Sequence, residues 1–501
     1  MRIILTIIAI CLTQLVFAQS KQMEKADELF YSFNYKDAIS LYQKELKKGK
    51  HRYYCCKMIA KAYSKLNNHS KSIEWYKECL TYVEIESKIY LQLANQLLKA
   101  GELNEASTYF LKYYNATNTP HQLTTSSYTE YYNGLLTDST RYTIINSAIN
   151  SKYDEFGPAL MGDKLVFTSN RPTESPTKRS DIQTGKSFFN IYTFNKKKGQ
   201  VTLFSKELQS KFNDGPVCFS KDNTNIYITR NTNNDNKSLN TLDIFVSKIT
   251  GAIWSKNVKR LPIRKGNYSV AHATFNADNT RMYFSSNMPG GFGGMDIYVC
   301  EFKNGFLSHA VNLGPKINSS GNEIFPFVDS NDILYFSSDM HPGMGGYDLF
   351  FSKKIKDQYS IPFNMGYPVN TPADDFSLVL DQQNKKGYFA SNRQGYTGGD
   401  DIFELTIERP LAYCMIEAQV YDNADSTLLS QTFVSITDTE TKHKSLVRTN
   451  KNGKFYYYLK KDKKYFFEVK HDLYADFKGV LSPKDLKSHE VLKLNIGLKE
   501  K

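Results

Sequence analysis

Glu155, Asp214, Glu323 and Asp375 are the residues of this sequence whose type and spacing first suggest chemistry. Each stands in a similar phrase: Glu155-Phe156-Gly157-Pro158, Asp214-Gly215-Pro216, Glu323-Ile324-Phe325-Pro326 and Asp374-Asp375-Phe376. A second set, Asp243, Asp296, Asp348 and Asp401, opens an apolar pair in each repeat, with Asn190 in the corresponding place of the first. Two carboxylates can hydrolyse a glycosidic bond, one as acid and the other as nucleophile or base. That chemistry needs each group once, at non-equivalent positions, whereas an acid that fixes a turn or a strand end is needed in every repeat. The recurrence therefore assigns all eight residues to folding and leaves no catalytic residue. Their spacing also lacks the ligand pattern of an EF-hand calcium loop.

The cysteines point the same way. Cys55, Cys56, Cys79, Cys218, Cys300 and Cys414 include no CxxC pair, so neither a metal centre nor a redox motif is expected, and no cofactor is implied. An oxidising compartment would permit a bridge from Cys79 to Cys55 or Cys56. Cys218 and Cys300 sit in apolar strand patterns, where a thiol acts as a small hydrophobe.

The elements that carry these acids repeat. Asn190-Ile191-Tyr192, Asp243-Ile244-Phe245, Asp296-Ile297-Tyr298, Asp348-Leu349-Phe350 and Asp401-Ile402-Phe403 begin 53, 53, 52 and 53 residues apart. Upstream recur Phe167-Thr168-Ser169-Asn170-Arg171, Phe284-Ser285-Ser286-Asn287, Phe336-Ser337-Ser338-Asp339 and Phe389-Ala390-Ser391-Asn392-Arg393, with a degenerate Ile228-Thr229-Arg230-Asn231 in the second unit. Alternating apolar runs between polar or Gly-rich turns read as four strands per unit. The Gly-rich loops ending before Asp296, Asp348 and Asp400 offer N–H groups that a carboxylate can accept. A radial array of such units is a β-propeller. The fifth unit lacks a fourth strand, and an orphan run, Tyr142 to Ile149, precedes the first; it is expected to complete the last blade and close a five-bladed ring. The motifs resemble the PD40 repeats of TolB-type propellers, without the Trp-Asp signature of WD40 proteins.

Between residues 22 and 118 a 34-residue period places Ala26, Ala60 and Ala94 in register, likewise Ala38, Ser72 and Ala106, and Tyr42, Tyr76 and Phe110. Small residues recur where helices approach closely and large ones where a gap is filled. The register resembles the tetratricopeptide (TPR) repeat, and implies an all-α solenoid with a capping helix near Gln122 to Leu136. After Arg409-Pro410, alternating runs and the Asn452-Gly453 hairpin signal predict a small antiparallel β-sandwich. Thr449, Asn450, Gly453 and Phe455 resemble the carboxypeptidase regulatory-like domain, a module without peptidase chemistry.

Arg2, the apolar run Ile3 to Phe17 and the small residue Ala18 before Gln19 read as a secretory signal cleaved between Ala18 and Gln19. Lipidation at Cys11 is disfavoured by Ile10 before it. The formal charge is +13, or +12 once Arg2 is removed. Nucleic-acid binding is not expected of an exported chain without a recognised binding module; anionic lipid or acidic partner loops suit its basic surface better.

The resulting expectation is multidomain: signal peptide 1–18, an all-α TPR solenoid 19–138, an all-β five-bladed propeller 139–408 and a small β-sandwich 411–499. This order resembles the OmpA-family periplasmic proteins of Bacteroidetes, some of which act in type IX secretion and gliding beside PorP/SprF-like outer-membrane proteins. The resemblance implies a non-enzymatic scaffold in the periplasm, peripheral to the outer membrane, whose partner is an outer-membrane protein such as a PorP/SprF-like barrel together with other secretion or motility components. The chain ends just after the sandwich, so peptidoglycan binding is unsupported. Asp138-Ser139-Thr140 and Asp425-Ser426-Thr427 resemble the O-glycosylation acceptor of that phylum. The alternative reading is a glycan-binding or glycan-cleaving propeller of a surface uptake system. No motif marks a partner-binding residue.

Overall fold

The computed structural model describes residues 21–117 and 139–501, apart from 32–33, 50, 67, 174–186, 197, 234–239, 304, 356–357, 361, 409–412, 441–443, 450–451, 462 and 484–490, and between those two stretches only Tyr132, Leu135 and Leu136. The signal, its Ala18–Gln19 junction, Cys11, Asp138 and the Arg409-Pro410 boundary lie outside the described residues.

The helices come first: α1 (Lys21–Tyr31), α2 (Tyr35–Lys47), α3 (Arg52–Lys65), α4 (His69–Cys79), α5 (Lys88–Lys99) and α6 (Leu103–Thr117). Asn34 and Asn68 cap α2 and α4, accepting the N–H of Asp37 at 3.4 Å and of Lys71 at 3.1 Å. The 34-residue register is a packing period: Ala26, Ala38, Ala60, Ala94 and Ala106 are all buried, and Ser72 Oγ donates to the Ala60 carbonyl at 2.9 Å. Tyr42 and Tyr54 both donate to Asp27, at 2.6 and 2.9 Å.

The fold class expected from the sequence needs correction here. The described residues are mostly β, with 42% strand, and the six short helices among them do not make an extended all-α solenoid. Each unit of a solenoid buries its face against the next; with helices of 11 to 15 residues, these faces are used up within one small compact unit. Most of the expected capping helix lies outside the described residues. Its end belongs to the second compact unit, where the Leu135 carbonyl accepts the N–H of Tyr367 at 2.9 Å.

That second unit contains five sheets built alike. Their innermost strands are Glu155–Met161, Asp214–Phe219, Val270–Phe275, Glu323–Val328 and Asp375–Leu380. Each of these touches the next, and Asp375–Leu380 returns to Glu155–Met161, closing a ring. This is a five-bladed β-propeller. In the fifth blade the outer strand is Tyr142–Asn146, antiparallel to Asp401–Ile407 with Tyr142 opposite Ile407 and Asn146 opposite Phe403. Phe167, Phe284, Phe336 and Phe389, one per blade in four blades, are fully buried between the sheets.

The last sheets are Lys454–Lys460, Tyr413–Asp422 and Val491–Leu498 on one side and Lys444–Arg448, Phe433–Asp438, Tyr465–His471 and Tyr474–Leu481 on the other. Ile416, Val420, Val434, Ile436, Phe455, Val469 and Ile496 share their core. The pairing departs from the expected antiparallel sandwich at one strand: Val491–Leu498 runs parallel to Tyr413–Asp422.

Candidate functional site

Two places in the propeller concentrate polar groups: the joints between blades and the ring axis. At the joints, the acids singled out in the sequence are consumed by one repeated latch. Glu155 accepts the Ser151 N–H (3.0 Å) and hydroxyl (2.7 Å), the Ser169 hydroxyl (2.8 Å) and Arg171 Nη2 (2.7 Å). Asp375 accepts the Thr371 N–H (2.6 Å) and hydroxyl (2.8 Å) and Arg393 Nη2 (2.7 Å). Asp214 takes the Ser210 N–H at 2.6 Å and Arg230 Nε at 2.5 Å. All three arginines also reach the connecting segment: Arg171 Nη2 donates to the Ile149 carbonyl and Arg393 Nη2 to that of Val369, both at 2.8 Å, and Arg230 Nη2 donates to the Leu208 carbonyl.

Blades three and four break the pattern in different ways. In the third, Val270 replaces the acid. In the fourth, Glu323 keeps the Ser319 N–H (2.8 Å), the Ser319 hydroxyl (2.5 Å) and the Ser338 hydroxyl (2.7 Å), but the arginine position holds Met340. His341 takes over only the carbonyl contact, its Nε2 lying 2.8 Å from Ile317 O. Buried, with no cation paired to it among the described residues, the Glu323 carboxyl is pushed up to about 8. Burial also raises Asp214 and Asp375, against the opposing pull of Arg230 and Arg393.

The second acid set holds loops. Asp296 accepts the N–H groups of Phe292 (2.6 Å) and Gly293 (3.0 Å), and Asp348 those of Met344 (3.0 Å) and Gly345 (2.9 Å). In blade five it is Asp401, and not the Asp400 expected from the sequence, that takes the Gly398 N–H, at 3.0 Å. Burial pushes Asp348 up to about 8. Asp243 instead pairs with buried Arg264 at 2.8 Å. Glycine is obligatory in these loops: a Cβ on Gly293 would lie 2.3 Å from the Gly321 carbonyl, and one on Gly345 2.1 Å from that of Ala373.

A third part of the latch escaped sequence reasoning. Asn318 accepts the Ile297 N–H at 2.7 Å and donates to the Ile297 carbonyl at 3.0 Å. Asn370 clasps Leu349 in the same way at 2.8 and 2.8 Å, and Asn150 clasps Ile402 at 2.8 and 2.7 Å. Their signal was present in the shared phrases ending Asn150-Ser151, Asn318-Ser319 and Asn370-Thr371.

At the axis, every innermost strand carries a β-bulge. Gly157, His272, Phe325 and Ser377 occupy it at φ of 60°, 56°, 50° and 56°, and blade two uses Gly215 (φ 110°) before Pro216. The bulges bring side chains of several blades together. His272 stacks on Phe325 with centroids 3.8 Å apart and planes 10° apart, and Phe376 and Phe156 follow at 5.4 and 6.3 Å from Phe325. Burial lowers the His272 imidazole to about 3, so it is neutral at physiological pH, and its buried Nδ1 has no hydrogen-bond partner among the described residues. No pattern pointed to His272, because it is unique among the five bulges.

Among the described residues no group of three or more His, Cys, Asp or Glu is placed to hold a metal ion. Cys55, Cys56 and Cys79 are buried free thiols, without the bridge that an oxidising compartment would permit; burial pushes Cys55 and Cys79 up to about 12.

No family model and no curated protein matches the chain. Solved structures similar to it include a gluconolactonase from Xanthomonas campestris (13% identity, 54% of this chain and 90% of that one, TM-score 0.33). Also similar are RS223 β-xylosidase (11%, 57% and 98%, 0.35) and a xylan β-1,4-xylosidase from Bacillus halodurans C-125 (9%, 71% and 95%, 0.35). At these scores the likeness carries no argument about chemistry.

Proposed function

We propose that this protein acts by holding partners rather than by turning over a substrate. In this reading it is an exported scaffold, peripheral to the outer membrane on its periplasmic side, within a secretion or gliding assembly that contains a PorP/SprF-like barrel. The observation that supports it is the fate of the recurring acids: Glu155, Asp214, Glu323 and Asp375 each clasp the segment four residues before them. A carboxylate committed to several such bonds is a poor acid–base catalyst, because proton transfer would break the joint it maintains. Cross-linking in intact cells followed by mass spectrometry tests the reading; recovery of an outer-membrane barrel is the expected result, and its consistent absence would sink it.

A glycan-binding or glycan-cleaving propeller is the second reading. Sugar-acting enzymes recur among the similar structures and lean this way, at scores too low to carry an argument. What favours it in the chain itself is the axis, where the imidazole of His272, its Nδ1 without a hydrogen-bond partner among the described residues, meets aromatic rings that suit a sugar face. Incubating the protein with plant and bacterial glycan panels separates the two, since reproducible cleavage excludes the scaffold as the whole function.

A further inference from the structure

We propose that the outer hairpins of blades two and three form a contact surface for an anionic phospholipid bilayer. The proposal stands apart from the partners named above and rests on charge and exposure at one end of the ring. From residue 244 to 277 the sequence has six basic residues and no acidic one, and from 302 to 322 it again has no acid. Of the six, Arg264 is spent on Asp243 and Arg260 lies 3.6 Å from the same carboxylate, but Lys248, Lys256, Lys259 and Lys265 are exposed.

Large apolar side chains project among them. Ile253 is 62% exposed and Phe306 79%. Ile253 and Phe306 hold the same position in successive 53-residue repeats, each in the second strand of a tight hairpin, Ile253–Trp254 and Phe306–Leu307. They therefore leave neighbouring blades at the same end. Lys303 is the direct cross-strand partner of Phe306, so ammonium and ring share one face of the hairpin. In blade two Thr250 faces Ile253, and Lys248 stands two residues before Thr250 on that face.

Acids stand near these lysines too: Glu207 acts on Lys256, Asp222 and Asp278 are held in their own turns, and Glu301 is ion-paired. Asp222 accepts from Ser220 Oγ at 2.5 Å and from the Thr224 N–H at 3.1 Å; Asp278 accepts the Thr280 N–H at 3.0 Å and its hydroxyl at 2.6 Å. Glu301 pairs with Arg281 at 3.2 Å. Lysines that attract lipid phosphates, beside single apolar tips that enter the headgroup layer one at a time, are the combination an interfacial contact requires. A protein partner would need a pocket for each tip, whereas a bilayer accepts separate insertions.

The test is co-sedimentation of the mature protein with phosphatidylcholine vesicles, with and without phosphatidylglycerol. Binding is expected only with the anionic lipid and should weaken as salt is raised. Lys248→Gln/Lys303→Gln should lower the partition constant roughly 25-fold, from about a factor of five for each basic group, with unchanged thermal unfolding. Phe306→Trp should show a blue-shifted emission component on adding anionic vesicles. Equal binding to neutral vesicles, no binding to either, an unmoved emission spectrum of the Phe306→Trp variant, or retention of the double-glutamine variant would each overturn the proposal. Binding to an acidic peptide such as polyglutamate without binding to vesicles would assign the patch to a protein partner and overturn it too.

Discussion

Glu323 shows how one missing side chain changes the role of a repeated acid. Its counterparts Glu155, Asp214 and Asp375 each have an arginine on the carboxylate, while Glu323 has serine donors and Met340 where the arginine would be. With its folded pKa near 8 and its ordinary value at 4.5, Glu323 binds its proton more tightly in the folded state. Its contribution to stability is complete below about pH 4.5 and is lost as the pH rises through about 8. Glu323→Gln is therefore expected to flatten the fall in melting temperature between about pH 5 and about pH 9, with little change at the acid end. Asp375→Asn removes a different interaction. It leaves Arg393, partly buried beside Phe389 and Phe403, without its carboxylate, and should cost about 3–5 kcal/mol at neutral pH. Urea unfolding of the parent protein and both variants over that pH range checks this; a Glu323→Gln curve parallel to the parent's would show that Glu323 is ionised in the folded protein.

At the scale of elements, ring closure rests on the short strand Tyr142–Asn146, which is separated from its partner by more than 250 residues of chain. Ile145, opposite Glu404, is 58% exposed, so its side chain contributes little while its backbone belongs to the ladder. Ile145→Pro removes a ladder donor and should lower stability by about 3 kcal/mol, whereas Ile145→Ala should be close to neutral. Matched destabilisation of both, measured by thermal unfolding, would mean that the side chain and not the closing ladder matters. The latch was legible in the sequence because the orphan strand ends in the same Ile-Asn-Ser phrase as the fourth blade's approach, Ile149-Asn150-Ser151 and Ile317-Asn318-Ser319. The clasp that the asparagine makes was not legible, since a polar residue in a turn phrase gives no sign of which distant backbone it will bond. His272 was hidden for the opposite reason: repeats reveal what recurs, and the axis is lined by what differs from blade to blade.

At the scale of the whole molecule, period proved a better guide to packing than to extent. The 53-residue period marks five sheets because a ring must close, and each unit's neighbour is fixed by the one before it. The 34-residue period carries no such condition, and reading it as an extended solenoid overstated the six short helices among the described residues, which are mostly β. The chain instead divides into two compact units, one with the helices to Thr117 and one with the described residues from Tyr132 onward. Compact units of this kind unfold as separate cooperative blocks. Ala60→Leu adds volume where Ser72 Oγ meets the Ala60 carbonyl in a fully buried helix contact, and overpacking of that kind costs about 1–3 kcal/mol. Calorimetry should then resolve two transitions, with Ala60→Leu lowering one and Asp375→Asn lowering the other. A single transition moved equally by both substitutions would show that the helices and the propeller unfold as one body.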